Sequence, residues 1–395
     1  MGGIGFMDLL LRNRDVFSGK EDLERLYTLR NFPIYMGVTD LRLSEDIFAD
    51  MEWRISKSSG MIQLFKLVPE DILYKNSHNG SIGSLWREHH TRFAEFIHEN
   101  IGDCTGTVLE IGGGNGILNA IYTEKYSVGG QWIIVEPTSV KPVDKCNARY
   151  IRKVWGDGNA VDDNLSEIEC LIHSHVLEHL YNIESFMAES EKLLKNGKKM
   201  IFSIPNLKET LQRKYTNALN FEHTYFISEE YVEEILRKHF FRILDKRYFK
   251  DDHSIFYVAE KSNVRIESPS IDYECLYKEN KRMFMEFIDS QKGLVLAFNK
   301  RIEKTSSSIY LFGAHIFSQY LIHFGLNTSR INCVLDNDMM KQKKRLYGTD
   351  LIVKSPESLA EEKEPIVILK VANYAEEIKS DILDNINPNT IFWEK

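Results

Sequence analysis

The chain has 395 residues, with 58 Asp and Glu against 50 Lys and Arg, and a net charge of −8 at pH 7. This length is typical of about two to three domains. The acidic balance argues against a nucleic-acid partner, because neutralising phosphates takes clustered Lys and Arg. The five cysteines lack paired spacing, which favours a reducing compartment, and no apolar run approaches the ~18 residues of a membrane span. We therefore expect a cytoplasmic protein without membrane insertion.

The first two predicted regions differ in their pattern. Residues 1–80 are rich in turns and predict a small β-rich domain. Leu85 to Ile101 has the apolar spacing of an amphipathic helix. Apolar strands then alternate with helical segments through Lys261, the third of them ending near Asn159. This alternation predicts a doubly wound α/β sheet over residues 81–261.

A polar segment, Lys261 to Pro269, separates the third region. A long helical pattern from Tyr273 to Lys304 is followed by strand-like segments at Ser308 to Ala314 and Ile331 to Asp336. They predict a second, smaller Rossmann-like domain over residues 262–395. Only one glycine of the dinucleotide fingerprint is present there, so a dinucleotide site is not expected.

The most informative segment runs from Val108 to Ile117, with the sequence VLEIGGGNGI. An apolar strand enters a glycine turn that opens a helix, and glycines let the backbone approach a ligand closely. Glu110 ends the strand where a phosphate site would disfavour an acid. A second strand ends about twenty residues later in Glu136, placed to accept ribose hydroxyls, and Asp157 follows the third strand-like segment.

The pattern E-x-G-x-G-x-G, followed by Glu136 and Asp157 after the next two predicted strands, resembles that of the class I S-adenosylmethionine (SAM) methyltransferases. The resemblance implies SAM as cofactor. Its binding residues would be Glu110, Gly112, Gly114, Gly116, Glu136 and Asp157.

The third region strengthens the resemblance. Phe312-Gly-Ala314, Val334-Leu-Asp-Asn-Asp338 and Leu346-Tyr-Gly-Thr349 are similar to the C-terminal domain of the three-domain sugar C-methyltransferases. Those enzymes methylate nucleotide-linked deoxysugars for antibiotics and surface glycans such as capsular polysaccharide. The resemblance covers nearly the whole chain and implies a nucleotide-linked sugar substrate, its nucleotide lying between the second and third domains.

The first domain of that family is a zinc ribbon with two C-x-x-C-G knuckles. The matching segments here, Asp15 to Gly19 and Ser56 to Gly60, contain no cysteine, and a hydroxyl does not replace a thiolate on zinc. We therefore expect a degenerate zinc-ribbon-like domain without zinc. Apolar packing should hold it together, through Phe32, Ile34, Trp53, Ile62 and Leu64.

Histidines and acids gather on segments expected at the mouth of the sheet, where ligands of doubly wound folds bind. The segments are Arg87 to His90, His173 to His179, Asn220 to His223 and Asp251 to His253. His179 matches a histidine of the family, and Glu222 and His223 match the end of its Y-x-E-H motif. Asn220 stands at the tyrosine position.

Loss of that tyrosine bears on the reaction. C-methylation needs a base to remove an α proton and an acid to stabilise the enolate, whereas O-methylation needs only a positioned base or a metal. We predict His223 as the base, with Glu222 and His179 beside it. His175, His223, Asp252 and His253 are the candidate ligands for an optional divalent metal ion.

Some of these residues also have explanations that involve no function. The V-L-E-H sequence ending at His179 is common in methyltransferases in which its Glu and His have no role, and we expect His173 to be a packing residue.

The sequence thus predicts a SAM-dependent methyltransferase acting on a nucleotide-linked sugar, with O-methylation favoured. The alternatives are C-methylation of a keto sugar and a non-catalytic scaffold, which would not need to keep an intact cofactor loop. The sequence leaves open the sugar, the nucleotide, the position methylated and the oligomeric state.

Overall fold

The computed structural model describes residues 8–75, 83–157, 168–250, 253–267 and 271–394. Within these residues, no helix is both long enough and apolar enough to cross a bilayer.

The N-terminal region is built around an antiparallel three-stranded sheet in the order β2-β4-β5. Its elements are β1 (Leu10–Leu11), β2 (Leu23–Pro33), β3 (Val38–Thr39), β4 (Phe48–Ser56), β5 (Ile62–Leu64), β6 (Lys66–Leu67) and the short helix α1 (Glu70–Leu73). The five apolar residues expected to hold this region are at most 3% exposed. Apolar packing therefore stabilises it, as predicted.

The two segments that match zinc knuckles lie against each other. Gly19 and Gly60 both have positive φ, and the hydroxyls of Ser18 and Ser58 are 3.3 Å apart. Ser56 Oγ donates to Asp22 at 2.8 Å and accepts the amide of Ser59 at 3.2 Å. Hydroxyl and carboxylate hydrogen bonds therefore join the two turns. That this region derives from a zinc ribbon, and that it holds no zinc, stay predictions.

The central region is a seven-stranded sheet with the order β12-β13-β11-β10-β7-β8-β9, in which β13 runs antiparallel to both neighbours and the other pairs are parallel. Its elements are α2 (Ser84–Ile101), β7 (Thr107–Ile111), α3 (Ile117–Lys125), β8 (Trp132–Val135), β9 (Arg149–Ile151), β10 (Ile168–Ser174), α4 (Ile183–Leu193), β11 (Lys199–Pro205), α5 (Leu207–Gln212), α6 (Glu229–Lys238), β12 (Phe241–Phe249) and β13 (Ser254–Lys261). The predicted α/β class with a mostly parallel doubly wound sheet is confirmed, and it is the class I methyltransferase fold.

One boundary prediction was wrong. The third strand was expected to reach residue 159, but β9 ends at Ile151. The chain then leaves the sheet, because the Trp155 ring turns inward to pack near Phe186 and its indole nitrogen donates to Ser190 Oγ at 3.2 Å.

The C-terminal region is a parallel five-stranded sheet with the order β17-β15-β14-β18-β19. Its elements are α7 (Tyr273–Ile302), β14 (Ile309–Phe312), α8 (Ile316–His323), β15 (Ile331–Leu335), β16 (Arg345–Leu346), β17 (Val353–Lys354), β18 (Ile366–Leu369), α9 (Ala375–Asp381) and β19 (Ile391–Trp393). Strand β16 pairs with β3 of the N-terminal region. The first and last regions are therefore joined by backbone hydrogen bonds.

Candidate functional site

A cavity of about 430 Å³ opens where β7, β8 and β10 end. This volume is typical of a small-molecule site. Its wall comprises Glu70, Leu73, Tyr74, Ile111, Gly112, Gly114, Val135, Glu136, Pro137, Thr138, Lys153, Val154, Trp155, His175, Val176, His179, Leu180, Phe186 and Glu222. Residues from the N-terminal region and from the central sheet therefore share one pocket.

The glycine turn forms one side of this cavity. Gly112, Gly114 and Gly116 all have positive φ, a conformation that glycine adopts without steric cost. A Cβ atom on Gly116 would lie 2.3 Å from the sulfur of Cys146. Gly112 and Gly114 face the cavity, whereas Gly116 packs against its neighbours at the start of α3. Gly112 and Gly114 thus form part of the cavity wall, whereas Gly116 allows close packing behind the turn.

Glu136 is held in position on the cavity wall. Its Oε2 accepts the amide of Gly114 at 3.1 Å, and its Oε1 accepts the amide and hydroxyl of Thr138 at 3.0 and 2.6 Å. A carboxylate has about four lone-pair positions. Glu136 therefore keeps acceptor capacity for ribose hydroxyls.

Glu110 lies beneath the turn rather than on the cavity wall. Its carboxylate accepts the indole N–H of Trp132 at 2.8 Å, and a Cβ on Gly113 would come within 2.9 Å of it. Burial is the main cause that raises the pKa of Glu110 to about 7. Direct contact between this carboxylate and the cofactor stays a prediction.

Asp157 lies near the cavity and pairs with Lys153, whose side chain lines the cavity wall. Its carboxylate is 3.5 Å from the ammonium of Lys153, which also pairs with Glu189 at 2.8 Å. Lys153 faces the cavity. The predicted role of Asp157 in cofactor binding is therefore untested by this geometry.

The remaining wall near these residues is apolar, with Ile111, Val135, Val154, Trp155 and Phe186. Such a wall suits a flat aromatic base. Together with the glycine turn and the acceptor oxygens of Glu136, it fits SAM.

Three polar side chains meet on another side of the cavity: Tyr74, His179 and Glu222. The Tyr74 hydroxyl is 3.4 Å from His179 Nδ1. Burial lowers the pKa of His179 to about 4 and raises that of Glu222 to about 7. Burial, followed by the nearby Glu222, also raises the pKa of Tyr74. The cavity thus brings together a neutral imidazole, a neutral phenol and a carboxyl that titrates near neutrality.

Sequence reasoning missed Tyr74. It directly follows α1, in the region assigned to the N-terminal domain, and its sequence neighbourhood carries no motif. Only the packing of that region on the central sheet brings its hydroxyl to His179.

His223, the predicted base, lies behind His179, with ring centroids 5.1 Å apart. Its Nδ1 is 3.1 Å from the carbonyl oxygen of Ala218. Asn220, at the family's tyrosine position, accepts the amides of Glu222 and His223 at 2.8 Å each. Of the predicted catalytic residues, Glu222 and His179 therefore line the cavity, and Asn220 shapes the turn that carries Glu222.

The predicted metal ligands divide between two clusters. His175 and His253 join His89, which the metal prediction had left out, whereas His223 lies with Glu178 and His179. Asp252 lies outside the described residues. His173 is fully buried and stacks on Phe202 with centroids 4.7 Å apart, as expected of a packing residue.

Family models match two parts of the chain. Residues 85–246 match a methyltransferase domain, and residues 274–389 match a C-methyltransferase C-terminal domain. The chain is a SAM-dependent methyltransferase. The methyltransferase domain contains the whole glycine turn, Glu136, His179 and Glu222, so most of the cavity wall lies within the matched segment and only Glu70, Leu73 and Tyr74 lie outside it. The third region therefore contains a C-methyltransferase C-terminal domain.

Solved structures similar to this methyltransferase align with less than half of it. The 1,6-didemethyltoxoflavin N1-methyltransferase of Burkholderia thailandensis is 15% identical, with a TM-score of 0.35, and the match covers 45% of this chain and 80% of that one. Magnesium protoporphyrin IX methyltransferase from Synechocystis PCC 6803 is 13% identical, with a TM-score of 0.34 and coverages of 47% and 90%. A SAM-dependent methyltransferase from Aquifex aeolicus is 13% identical, with a TM-score of 0.33 and coverages of 42% and 88%. A comparison with curated proteins gives no match.

Proposed function

We propose that this methyltransferase transfers a methyl group to an enolisable carbon of a nucleotide-linked keto sugar. The observation that carries the proposal is the convergence of Tyr74, His179 and Glu222 at the cavity that the glycine turn borders. Absence of the motif tyrosine at Asn220 favoured O-methylation on sequence grounds. Tyr74 now supplies a phenol from elsewhere in the chain, and the C-methyltransferase type of the C-terminal domain also supports carbon as the acceptor.

In this mechanism Glu222 is the general base. With its pKa raised to about 7, about half of its population is ionised at neutral pH, which suits proton transfer near that pH. The carboxylate takes the α proton, and the electron pair of the broken C–H bond moves onto the sugar's carbonyl oxygen. The Tyr74 hydroxyl, kept neutral by its raised pKa, donates a hydrogen bond to that oxygen.

Bound SAM supplies an electrophilic methyl group. Glu136 and the backbone of the glycine turn hold the cofactor, and the apolar wall excludes water from the carbanion-like carbon. His179 lies within 3.4 Å of the Tyr74 hydroxyl and orients it.

The nucleotide-linked form of the sugar rests on the resemblance to the three-domain sugar C-methyltransferases. We place the nucleotide between the central and C-terminal domains, and the sugar in the cavity. A role in surface-glycan or natural-product sugar biosynthesis in the cytoplasm follows from the same resemblance.

O-methylation of the sugar is the second candidate. The same carboxyl of Glu222 would then deprotonate a hydroxyl, and Tyr74 would only bind the sugar. The two reactions differ in whether the acceptor's α proton is labile.

The test uses a panel of nucleotide-linked sugars in D₂O with enzyme and S-adenosylhomocysteine. C-methylation predicts exchange of the α proton, seen by NMR, and a new carbon-bound methyl when SAM replaces S-adenosylhomocysteine. An oxygen-bound methyl without exchange would establish the second candidate, and absence of single-turnover transfer across the panel would favour the non-catalytic scaffold.

Replacing the base tests its role directly. We expect Glu222→Gln to lower kcat by about 10²-fold or more, the usual contribution of general acid–base catalysis, with unchanged affinity for S-adenosylhomocysteine. Glu70→Gln is the matched control, since Glu70 is the glutamate that the N-terminal region contributes to the cavity wall, and it should stay within a few-fold of wild type. Equal losses in both variants would contradict the assignment, and His179 and His223 would be examined next.

A further inference from the structure

Three histidines from distant parts of the central region meet beside the cavity. His89 lies on α2, His175 follows β10 and His253 precedes β13. One ring nitrogen of each lies within 4.8 Å of the others. Imidazole nitrogens at such spacing need only small side-chain movements to share one ion, because metal–nitrogen bonds in zinc sites are about 2.0–2.1 Å long.

His89 is the member of this cluster whose environment most clearly indicates a ligand. Its side chain is 0% exposed, and among the described residues neither of its ring nitrogens has a hydrogen-bond partner. A buried polar group without a partner costs about 1–3 kcal/mol in stability. A metal ion at the centre of the cluster would satisfy the lone pair of this ring.

His175 has the environment of a metal-bound histidine. Its Nε2 is 2.8 Å from Ser254 Oγ, and its Nδ1 is 3.3 Å from the carboxylate of the fully buried Glu178, a contact that lacks hydrogen-bond geometry. A carboxylate close to one ring nitrogen raises the basicity of the imidazole, which makes the other nitrogen a better ligand. The left-handed backbone of His175, with φ of 53°, is uncommon for a residue other than glycine.

Ser254 shows how the cluster is connected without an ion. Its hydroxyl lies 2.8 Å from His175 Nε2 and 2.6 Å from His253 Nδ1. A hydroxyl has one proton, so it donates to only one of the two rings and must accept from the other. An ion bound by the three imidazoles would take the place of these bonds, with the hydroxyl or water as fourth ligand.

We propose that His89, His175 and His253 form a site for a divalent transition metal ion of the zinc type. Three imidazoles select such ions over Mg²⁺ and Ca²⁺, which prefer oxygen ligands. Trp86, Phe249 and Phe256 pack around His89 and enclose the site. The ion holds α2, the loop after β10 and the start of β13 together, and so fixes His175 on the wall of the cavity.

This site differs from the ligand set expected from sequence, because it includes His89 and leaves out His223, and because Asp252 lies outside the described residues. The proposal is also independent of the reaction and of the acceptor. Metal content is measured without substrate, so a failed activity assay would not affect it.

The first experiment measures zinc in untagged protein, since a polyhistidine tag would bind the same ions. After treatment with a chelator, incubation with Zn²⁺ and dialysis, elemental analysis should find one zinc per chain and no retained Mg²⁺. Added Zn²⁺ should raise Tm, because a ligand that binds only the folded state stabilises it. Co²⁺ should give visible absorption bands without the thiolate charge-transfer band that cysteine ligands would cause.

His89→Phe tests the site itself, because phenylalanine keeps an aromatic ring among Trp86, Phe249 and Phe256. We expect this variant to fold, to retain no zinc and to lose the Tm increase. His98→Phe is the matched control on the same helix, where the ring stacks on Tyr126 at 3.8 Å, and it should bind zinc like wild type.

Three results would overturn the proposal. One is wild-type protein without stoichiometric zinc and without a Tm increase. Another is a His89→Phe variant that binds zinc as tightly as wild type. The third is loss of zinc from His223→Phe with retention in His89→Phe, which would move the ion to the cluster of Glu178, His179 and His223. If His89→Phe did not fold, the chelation and Co²⁺ measurements on wild type would decide.

Discussion

Glu110 shows how burial changes the protonation of an acid at the end of a strand. The carboxyl is 3% exposed and bonded to one indole N–H, and its pKa is raised to about 7 mainly by burial. The folded protein therefore keeps a proton that the unfolded chain loses near pH 4.5. The stability that this proton contributes is lost as pH rises from about 4.5 to about 7.

Glu110→Gln should remove this loss. The shift from 4.5 to about 7 corresponds to about 3 kcal/mol at 1.36 kcal/mol per unit, and a glutamine oxygen still accepts from Trp132. We expect the free energy of unfolding of the variant to exceed that of wild type by nearly this amount at pH 8 and to differ little from it at pH 4.5. Urea unfolding at both pH values measures the difference. Exposed Glu361→Gln is the control, and a gain that is equal at both pH values would contradict the explanation.

At the scale of one element, the turn between β7 and α3 combines two requirements. Gly114 has φ of 53° with no protein atom within 4 Å of a built Cβ, whereas a Cβ on Gly116 would meet Cys146 and Tyr150. A left-handed backbone costs a residue with a Cβ about 1–2 kcal/mol. Gly114 is needed for the backbone conformation at the cavity. Gly116 is needed both for its backbone conformation and for packing.

Alanine substitutions should separate these requirements. Gly114→Ala should weaken S-adenosylhomocysteine binding by about tenfold, since each 1.4 kcal/mol corresponds to tenfold in affinity, with a small decrease in Tm. Gly116→Ala should lower Tm much more, because the sulfur of Cys146 and the ring of Tyr150 must move to make room for the Cβ. Gly197→Ala, with φ of 80° and an open Cβ position away from the cavity, should match Gly114→Ala in Tm and keep full affinity. Calorimetry measures both quantities, and identical Tm values for the two turn variants would contradict the packing argument.

The joined turns of the N-terminal region are held by hydrogen bonds of hydroxyl, amide and carboxylate groups. Ser56, Ser59 and Gly60 retain a tight turn, and the amide of Ser59 donates to Ser56 Oγ. The apolar core beneath, including Trp53 at 0% exposure, carries the stability. The sequence predicted the core residues that stabilise this region.

At the scale of the whole molecule, a buried ion pair between Arg345 and Asp46 links the N-terminal and C-terminal regions, in addition to the more exposed pairs Glu24–Lys281 and Asp40–Lys344. Arg345 Nη1 and Nη2 each lie 2.6 Å from an oxygen of Asp46, and the two side chains are 10% and 0% exposed. The pair adjoins the β3·β16 backbone pairing. It therefore stabilises the arrangement of the two regions around the central sheet.

Arg345→Ala should destabilise the protein by about 3–5 kcal/mol, because it leaves the Asp46 carboxylate buried without its partner. We expect a large decrease in Tm by scanning calorimetry. Arg42→Ala, which breaks the exposed pair with Glu45, should change Tm little. A double variant Arg345→Met/Asp46→Leu should recover most of the loss, and failure to recover would show that the hydrogen bonds of Arg345 to Leu41 and Thr349 dominate.

The cavity is also a property of the whole molecule. Glu70, Leu73 and Tyr74 come from the N-terminal region, whereas the glycine turn and Glu222 come from the central one. The cavity is thus shared by the first two regions, and the expected position of the nucleotide near the third stays a prediction.

The sequence by itself determined the features that depend on local spacing. Glycines at alternate positions after an apolar strand, the acid of Glu136 at the next strand end and the alternation of strands and helices specified the methyltransferase fold and its cofactor turn. Burial of Trp53 and its neighbours followed from apolar patterning in the same way, because neighbours along the chain set which face is buried.

Only the tertiary structure decided which side chains meet. Tyr74 reaches His179 across 105 positions, His89 meets His175 and His253 from a separate helix, and His223 lies behind His179 rather than on the cavity wall. None of these contacts can be predicted from local spacing, because the packing of whole elements brings the residues together. The same packing removes water from Glu110 and Glu222, and so determines the pKa values on which their chemistry depends.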